Sequence, residues 1–372
     1  MLKIGITGQA GFVGTHLYNT LGLHPEEFER VPFKKGYFSN QQQLEQFVSQ
    51  CDVIVHLAAM NRHNDPQVIF ETNIELAQKL VDALEYTQSK AHVLFSSSTQ
   101  EERDNEYGKS KKAARELLYN WSQESGGKFT GLIIPNVFGP FGHPNYNSVI
   151  ATFCHKLAHN ETPTIAVDSE LKLIYVGELV EVLLSEIRNA NSKAEMLVPY
   201  TATAKVSEIL HVLEKYKSEY QVKGIIPEIH STFELNLFNT FRCYMDIATH
   251  FPVSFVEHTD DRGSFVEIIR LGVGGQVSFS TTVPGITRGN HYHTRKIERF
   301  AVIKGKALIQ LRRIGTDEVL DFYLDGDAPS YVDMPIWYTH NIKNIGDEIL
   351  YTNFWINEFY DPKDPDTYFE NV

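Results

Sequence analysis

A chain of 372 residues is longer than one hydrophobic core usually supports, so two domains are expected. Hydrophobic residues make up 42% and charged residues 22%, which excludes an intrinsically disordered chain. Lys plus Arg total 34 against 47 Asp plus Glu, and the net charge of −13 argues against nucleic acid as a partner.

In chain order, Met1 leads straight into the apolar run Leu2–Ile6, with no secretory h-region, so a cytoplasmic location is expected. Short apolar runs recur at Val53–Leu57, His92–Phe95 and Leu132–Ile134, the texture of buried parallel strands. Between them lie helical patterns over Gly11–Leu21, Gln41–Ser49, Pro66–Tyr86 and Tyr107–Gln123. In the third, Val68, Ile69, Thr72, Leu76, Leu80 and Leu84 share one face. Such alternation predicts βαβ units and a Rossmann-type, doubly wound parallel sheet. A helix-like stretch starts at Phe233. From Phe251 the pattern changes to short alternating pieces, Ser264–Leu271, Arg299–Ile303 and Ala307–Arg312, broken by Gly and Pro. That predicts an all-β barrel or sandwich. The expected division is an α/β domain over 1–245 and an all-β domain over 246–372. Cys51, Cys154 and Cys243 are too few and too scattered for a disulfide framework or a thiolate metal site. No apolar run reaches the roughly 20 residues of a membrane-spanning helix.

The first strand runs into Gly8-Gln-Ala-Gly11-Phe-Val-Gly14 and then a helix. Glycines there permit a tight turn and close approach of a pyrophosphate to the helix N-terminus. Gly272-Val-Gly-Gly275 has similar composition, but no helix follows it. Farther on, Ser96-Ser-Ser98 ends a strand and Tyr107-Gly-Lys-Ser-Lys111 opens a helix. Tyr and Lys four apart share a helix face, so the ammonium is placed to lower the phenol pKa and to hold a ribose. Such a tyrosine exchanges the alcohol proton as hydride moves, and a serine hydroxyl can fix the same oxygen. Lys109 lies off that face.

The Gly-x-x-Gly-x-x-Gly spacing, Asp52-Val-Ile-Val-His56-Leu-Ala-Ala59 and Asn136-Val-Phe-Gly-Pro140 resemble the extended short-chain dehydrogenase/reductases over residues 1–245. The resemblance implies that Ser98, with Ser97 as second choice, Tyr107 and Lys111 are catalytic. It also implies that Gly8, Gly11, Phe12, Val13, Gly14, Leu57, Ala58, Ala59, Tyr107 and Lys111 bind the cofactor. Lys34 and Lys35 stand where enzymes of this fold that use NAD usually place an acid, so NADPH is expected. Two departures from the family pattern bear on substrate recognition: the polar stretch Thr99–Glu106, and Leu132–Pro135 in place of a segment that often holds an arginine.

In the β-rich part, Gly285-x5-His291-x-His293-x4-Glu298-x6-Gly305 precedes Pro335-Ile-Trp-Tyr-Thr-His340-x3-Asn344. Strand alternation puts His291 and His293 on one face, and Glu298 and His340 complete a three-histidine, one-carboxylate set. Zn, Ni, Mn or Fe suits such a set, and zinc is the expected ion. The spacing resembles both motifs of the cupin barrel, with Trp337 in place of the usual glycine.

A reductase fused to a cupin resembles enzymes of capsular polysaccharide biosynthesis in the UDP-N-acetyl-L-fucosamine pathway. That resemblance implies C3 epimerisation of UDP-2-acetamido-2,6-dideoxy-L-arabino-4-hexulose in the barrel. Reduction of C4 with NADPH would then give UDP-2-acetamido-2,6-dideoxy-L-talose. A UDP-sugar substrate and a homodimer are the expected partners. Two other readings are a non-catalytic NADP sensor, which would typically lack the Tyr–Lys pair, and a metal-dependent oxygenase with a regulatory Rossmann domain.

Overall fold

The computed structural model describes residues 1–372. Two compact units emerge, Met1–Thr152 with Val167–Val206, and Phe153–Ala166 with Ser207–Val372. Along the first, the elements are β1 (Leu2–Thr7), α1 (Phe12–Leu21), β2 (Phe28–Val31), α2 (Gln41–Ser49), β3 (Val53–His56) and α3 (Pro66–Tyr86). They continue with β4 (His92–Ser98), α4 (Glu106–Ser125), β5 (Lys128–Ile134), β6 (Asn136–Phe138) and α5 (Val149–Ala158), where the chain first leaves the unit. On its return come β7 (Glu170–Tyr175), α6 (Val176–Asn189), β8 (Lys193–Leu197) and β9 (Ala202–Lys205).

Six parallel strands stack in the order β2-β1-β3-β4-β5-β8, with β6-β7-β9 as a small separate sheet. Alternate residues of each central strand feed opposite cores. Ile54, Val93 and Phe95 meet α2, α3 and α4, while Val53, Val55 and Leu94 meet α1 and α6. This three-layer arrangement explains the near-continuous apolar strand sequences. Local signals set the helix starts. Asn40 and Asp65 accept from the amides of Gln43 and Gln67, Pro66 begins α3, and Asn105 caps α4. The buried face of α3 is turned from the expected one: Ile69, Asn73, Ala77, Leu80 and Leu84 are buried, whereas Val68, Thr72 and Leu76 are only half-buried.

The second unit carries α7 (Val206–Tyr216), α8 (Thr232–Arg242) and α9 (Ile247–His250), then β10 (Val253–Ser254), β11 (Glu257–Asp260), β12 (Gly263–Val266), β13 (Gln276–Thr282) and β14 (Thr287–Tyr292). After these come β15 (Glu298–Lys304), β16 (Lys306–Arg313), β17 (Val319–Asp325), β18 (Ser330–Met334), β19 (Tyr338–Asn344), β20 (Leu350–Ile356) and β21 (Tyr368–Phe369). Two five-stranded antiparallel sheets form, β10-β18-β15-β20-β13 and β17-β16-β19-β14-β21, with β11 and β12 as a separate hairpin. Val302 and Val332 of one sheet pack with Ile309, Phe322 and Ile342 of the other in a single core. The ladders leave two packed sheets rather than one continuous ring.

The compact units do not divide at residue 245. Residues 207–245 are helical yet belong with the β-sheets, because their buried side chains are used there. Arg242 donates to the carbonyl of Met334 at 2.9 Å, and Tyr220 to Asp333 at 2.8 Å. Asp333 in turn takes both prongs of buried Arg299, at 2.7 and 2.9 Å.

Candidate active site

The connections of the parallel sheet leave toward opposite edges between β1 and β3, the place where sheets of this kind receive ligands. The glycine turn lies there. A Cβ on Gly14 would stand 2.3 Å from the carbonyl oxygen of Gly8, so only glycine lets α1 start this close to the turn. No side chain caps α1 at Gly11, which leaves its first amides to an anionic ligand. Phe12 and Val13 are half-buried in that first turn. Leu57 donates its amide to Thr7 at 3.1 Å, holding Leu57, Ala58 and Ala59 beside the end of β1. Gln9 accepts from the amide of Phe33 at 3.0 Å and so ties the turn to the residue before exposed Lys34 and Lys35.

Ser98 ends β4, and its Oγ accepts from the amide of Gln100 at 3.2 Å, which leaves its own proton to donate. A Cβ on Gly108 would meet the carbonyl of Gln100 at 2.0 Å, so glycine again permits the close contact, here between α4 and the turn after Ser98. Tyr107 lies in the first turn of α4. One turn on, Lys111 is 2% exposed, its Nζ 4.7 Å from the centroid of Phe95 and 6.0 Å from that of Tyr107. Burial lowers the Lys111 pKa to about 7, against a smaller opposing pull from Glu101. Burial, with nearby Tyr146, pushes the Tyr107 phenol up to about 12. Desolvation is the larger of these two causes, and it disfavours the phenolate. At neutral pH the phenol keeps its proton, as a donor to a developing alkoxide must.

Neighbouring alternatives are occupied. Ser97 donates to Glu101, which forms a nearly buried pair with Arg115 at 2.8 Å. The polar stretch after the serines thus carries an internal ion pair. Lys109 is exposed and pairs with Asp104 at 2.8 Å and Glu106 at 3.0 Å. Two features escape sequence reasoning. Asn73 accepts from the amide of Met60 at 2.7 Å and donates to Ser110 at 2.9 Å, joining the loop after β3 to α4; its one signal is a polar residue inside an apolar stripe. Arg62 donates to the carbonyls of Tyr146 at 2.8 Å and Asn145 at 3.1 Å, and the amide of Asn61 to the Tyr146 hydroxyl at 3.2 Å. No local pattern links those segments.

In the second unit, His291, His293, Glu298 and His340 come together, with one ligating atom of each within 4.8 Å of the others. A register shift between Gly289 and His291, with Asn290 at φ 62°, places His291 opposite His340. His293 Nε2 and His340 Nε2 lie 3.0 and 3.2 Å from Glu298 Oε2. These are ion-pair distances, yet all three atoms are buried without a well-aligned hydrogen bond. The Nδ1 atoms are engaged elsewhere, with the carbonyl of Asp366 and, at 3.2 Å, with that of Tyr338. Burial opposes ionisation of Glu298, but contact with His293 and His340 outweighs it and holds the carboxyl far below the usual range. Burial and then His340 lower the His291 pKa to about 4. Buried donors with no partner but one another, oriented through their outer nitrogens, fit a metal ion. Trp337 adopts φ 62° where the motif usually has glycine, a backbone that costs a non-glycine residue about 1–2 kcal/mol. Its amide donates to the carbonyl of His293 at 2.8 Å, and its ring stacks on Tyr292.

Glycine turn, parallel sheet and Tyr–Lys helix define a dinucleotide-dependent class, and residues 4–198 match the NAD dependent epimerase/dehydratase family, to which the chain belongs. Residues 258–368 match the polysaccharide biosynthesis C-terminal domain. Over nearly its whole length the chain is 33% identical to UDP-2-acetamido-2,6-beta-L-arabino-hexul-4-ose reductase of Pseudomonas aeruginosa, covering 99% of this chain and 98% of the relative. It is 36% identical to the crystal structure of the capsular polysaccharide assembling protein CapF of Staphylococcus aureus, covering 100% of each chain at a TM-score of 0.63. RMD of Pseudomonas aeruginosa shares the fold at 21% identity, over 59% of this chain and 83% of that one, with a TM-score of 0.52.

Proposed function

We propose that the chain is an NADPH-dependent reductase of a 4-keto sugar nucleotide in polysaccharide biosynthesis, with C3 epimerisation carried out in its second unit. The observation that carries the reductase reading is the placement of Tyr107 one turn before buried Lys111 on α4, the helix that Gly108 packs against the turn after Ser98. When bound, NADPH supplies the hydride that reaches C4. Ser98 holds the keto oxygen by donating its free proton, and Tyr107 gives its proton to that oxygen as it becomes an alcohol. Lys111 holds the nicotinamide ribose. Lys34 and Lys35 receive the 2′-phosphate, and the α1 amides receive the pyrophosphate.

The second unit is read as a cupin domain. His291, His293, Glu298 and His340 would hold a divalent ion, with zinc favoured, that acts as a Lewis acid toward the keto oxygen. The keto group acidifies C3–H, so a base in this unit can remove that proton to give the enolate, and a solvent-derived proton delivered to the opposite face of C3 completes the inversion. The whole-length relative named as a hexul-4-ose reductase supports UDP-2-acetamido-2,6-dideoxy-L-arabino-4-hexulose as substrate and the L-talose sugar nucleotide as product. Both site constellations together favour this over a sensor or an oxygenase. No helix is long and apolar enough to cross a membrane, and a cytoplasmic homodimer is the form expected to act.

Incubation with that 4-keto UDP-sugar and NADPH in deuterated water tests both steps. Deuterium at C3 and a new C4 alcohol are expected by NMR. A product without the C4 alcohol overturns the reductase reading, and one without C3 deuterium overturns the epimerase reading.

A further inference from the structure

Residues Thr294–Ile297 form the connection that has one proposed ligand, His293, before it and another, Glu298, after it. Its conformation therefore sets the spacing of two donors. The residue that fixes it comes from far along the chain. Asp366 is 2% exposed and its carboxylate accepts from three successive amides, those of Thr294 at 3.1 Å, Arg295 at 3.0 Å and Lys296 at 3.1 Å. The Thr294 hydroxyl donates to it as well, at 2.6 Å. Consecutive amides closing on one carboxylate make an anion nest, which balances the buried charge with backbone dipoles. The main-chain carbonyl of the same residue receives Nδ1 of His293. One residue thus grips both the connection and the imidazole before it. Its φ of 40° is unusual for a non-glycine residue and persists only where the surroundings over-determine it. The flanking chain is also tied down. Lys296 donates to the carbonyl of Pro365 at 2.7 Å, and Arg295 pairs with Asp364 at 2.9 Å.

We infer that Asp366 is a positioning residue of the four-donor site: its carboxylate sets the connection from His293 to Glu298, and its carbonyl holds His293 with Nε2 turned to the other donors. The role in metal binding rests on reading that cluster as a metal site. An imidazole that donates through Nδ1 keeps its lone pair on Nε2, and such outer partners typically contribute ~10–100-fold to metal affinity.

The test uses the full chain and its Asp366→Ala and Asp366→Asn variants, each checked for folding by circular dichroism. Zinc affinity is measured by competition with a chromogenic chelator. The alanine variant leaves three amides without their acceptor and should bind zinc ~10–100-fold more weakly. The asparagine variant keeps one amide oxygen in place and should recover part of that loss. A second readout needs no metal. In metal-free protein at alkaline pH, ¹⁵N NMR of the histidine rings should place the His293 proton on Nδ1 in the wild type and redistribute it in the alanine variant. His340, held by Tyr338, should keep its tautomer and so separates positioning from general damage. Folded variants that bind zinc as tightly as wild type would overturn the inference, as would a wild-type His293 carrying its proton on Nε2. Should the wild type bind neither zinc, nickel, manganese nor iron, the metal reading fails, and the ring tautomers alone decide the role of Asp366.

Discussion

Tyr107 and Lys111 sit one helical turn apart and join their serine across a single short turn, whereas the donors of the second unit come from three strands and the residue just after one of them, and His293 contacts a residue near the far end of the chain. The two clusters also handle buried charge differently. Glu101 offsets only part of the burial of Lys111, so its pKa falls to about 7. In the second cluster a carboxylate and two imidazoles face one another, and Glu298 stays ionised although it is buried. A local motif can therefore hold a buried charge that its neighbours only partly offset. A long-range cluster has to satisfy itself, or be satisfied by an ion, for the sheets around it to fold.

The sharpest way to break this comparison is Tyr107→Phe, which removes the proton donor and keeps the ring. C4 reduction should fall ~10²–10⁴-fold while NADPH still binds, as followed by NADPH oxidation and fluorescence titration. Solvent deuterium should still enter C3, and its complete loss in the folded variant would mean that the two clusters act as one site.

Next in size, Glu298→Gln keeps the side-chain volume but removes the charge that both imidazoles face. Metal affinity should drop by at least the ~10–100-fold that outer partners contribute, and C3 exchange should drop with it. Reduction of a substrate supplied already epimerised should continue at the wild-type rate, measured by NADPH consumption.

Lys111→Met sharpens the electrostatic half of the comparison. An unfolded lysine keeps its proton to about 10.5, whereas Lys111 releases it near 7. Between those values the unfolded chain binds more protons, so this group makes stability rise with pH. The methionine variant should lose hydride transfer. Without cofactor it should melt at a higher temperature than wild type, by a margin that shrinks from neutral pH toward 10.5. A margin independent of pH would show that Lys111 is not desolvated.

The smallest effect is expected from replacing Lys34 and Lys35 together by alanine. The NADPH-to-NADH ratio of kcat/KM should fall about tenfold, the size of one charge-assisted hydrogen bond. An unchanged ratio would place the 2′-phosphate elsewhere.

What the sequence determined by itself was local. Helices Gln41–Ser49 and Pro66–Tyr86 lie where their periodicity put them. The glycine turn, the Tyr–Lys helix and the close spacing of His291 and His293 were legible because each lies within a few residues. The tertiary structure decided whatever depends on distant neighbours or on desolvation. It assigned helices 207–245 to the β-sheet unit through buried Tyr220 and Arg242. It turned α3 so that Asn73 could hold the loop after β3. Burial lowered the pKa of Lys111 and raised that of Tyr107. Asp366 joined the four-donor cluster from some seventy residues beyond the segment it holds. Burial, and the long-range partners it makes necessary, belong to the folded surroundings, and no short window of sequence contains them.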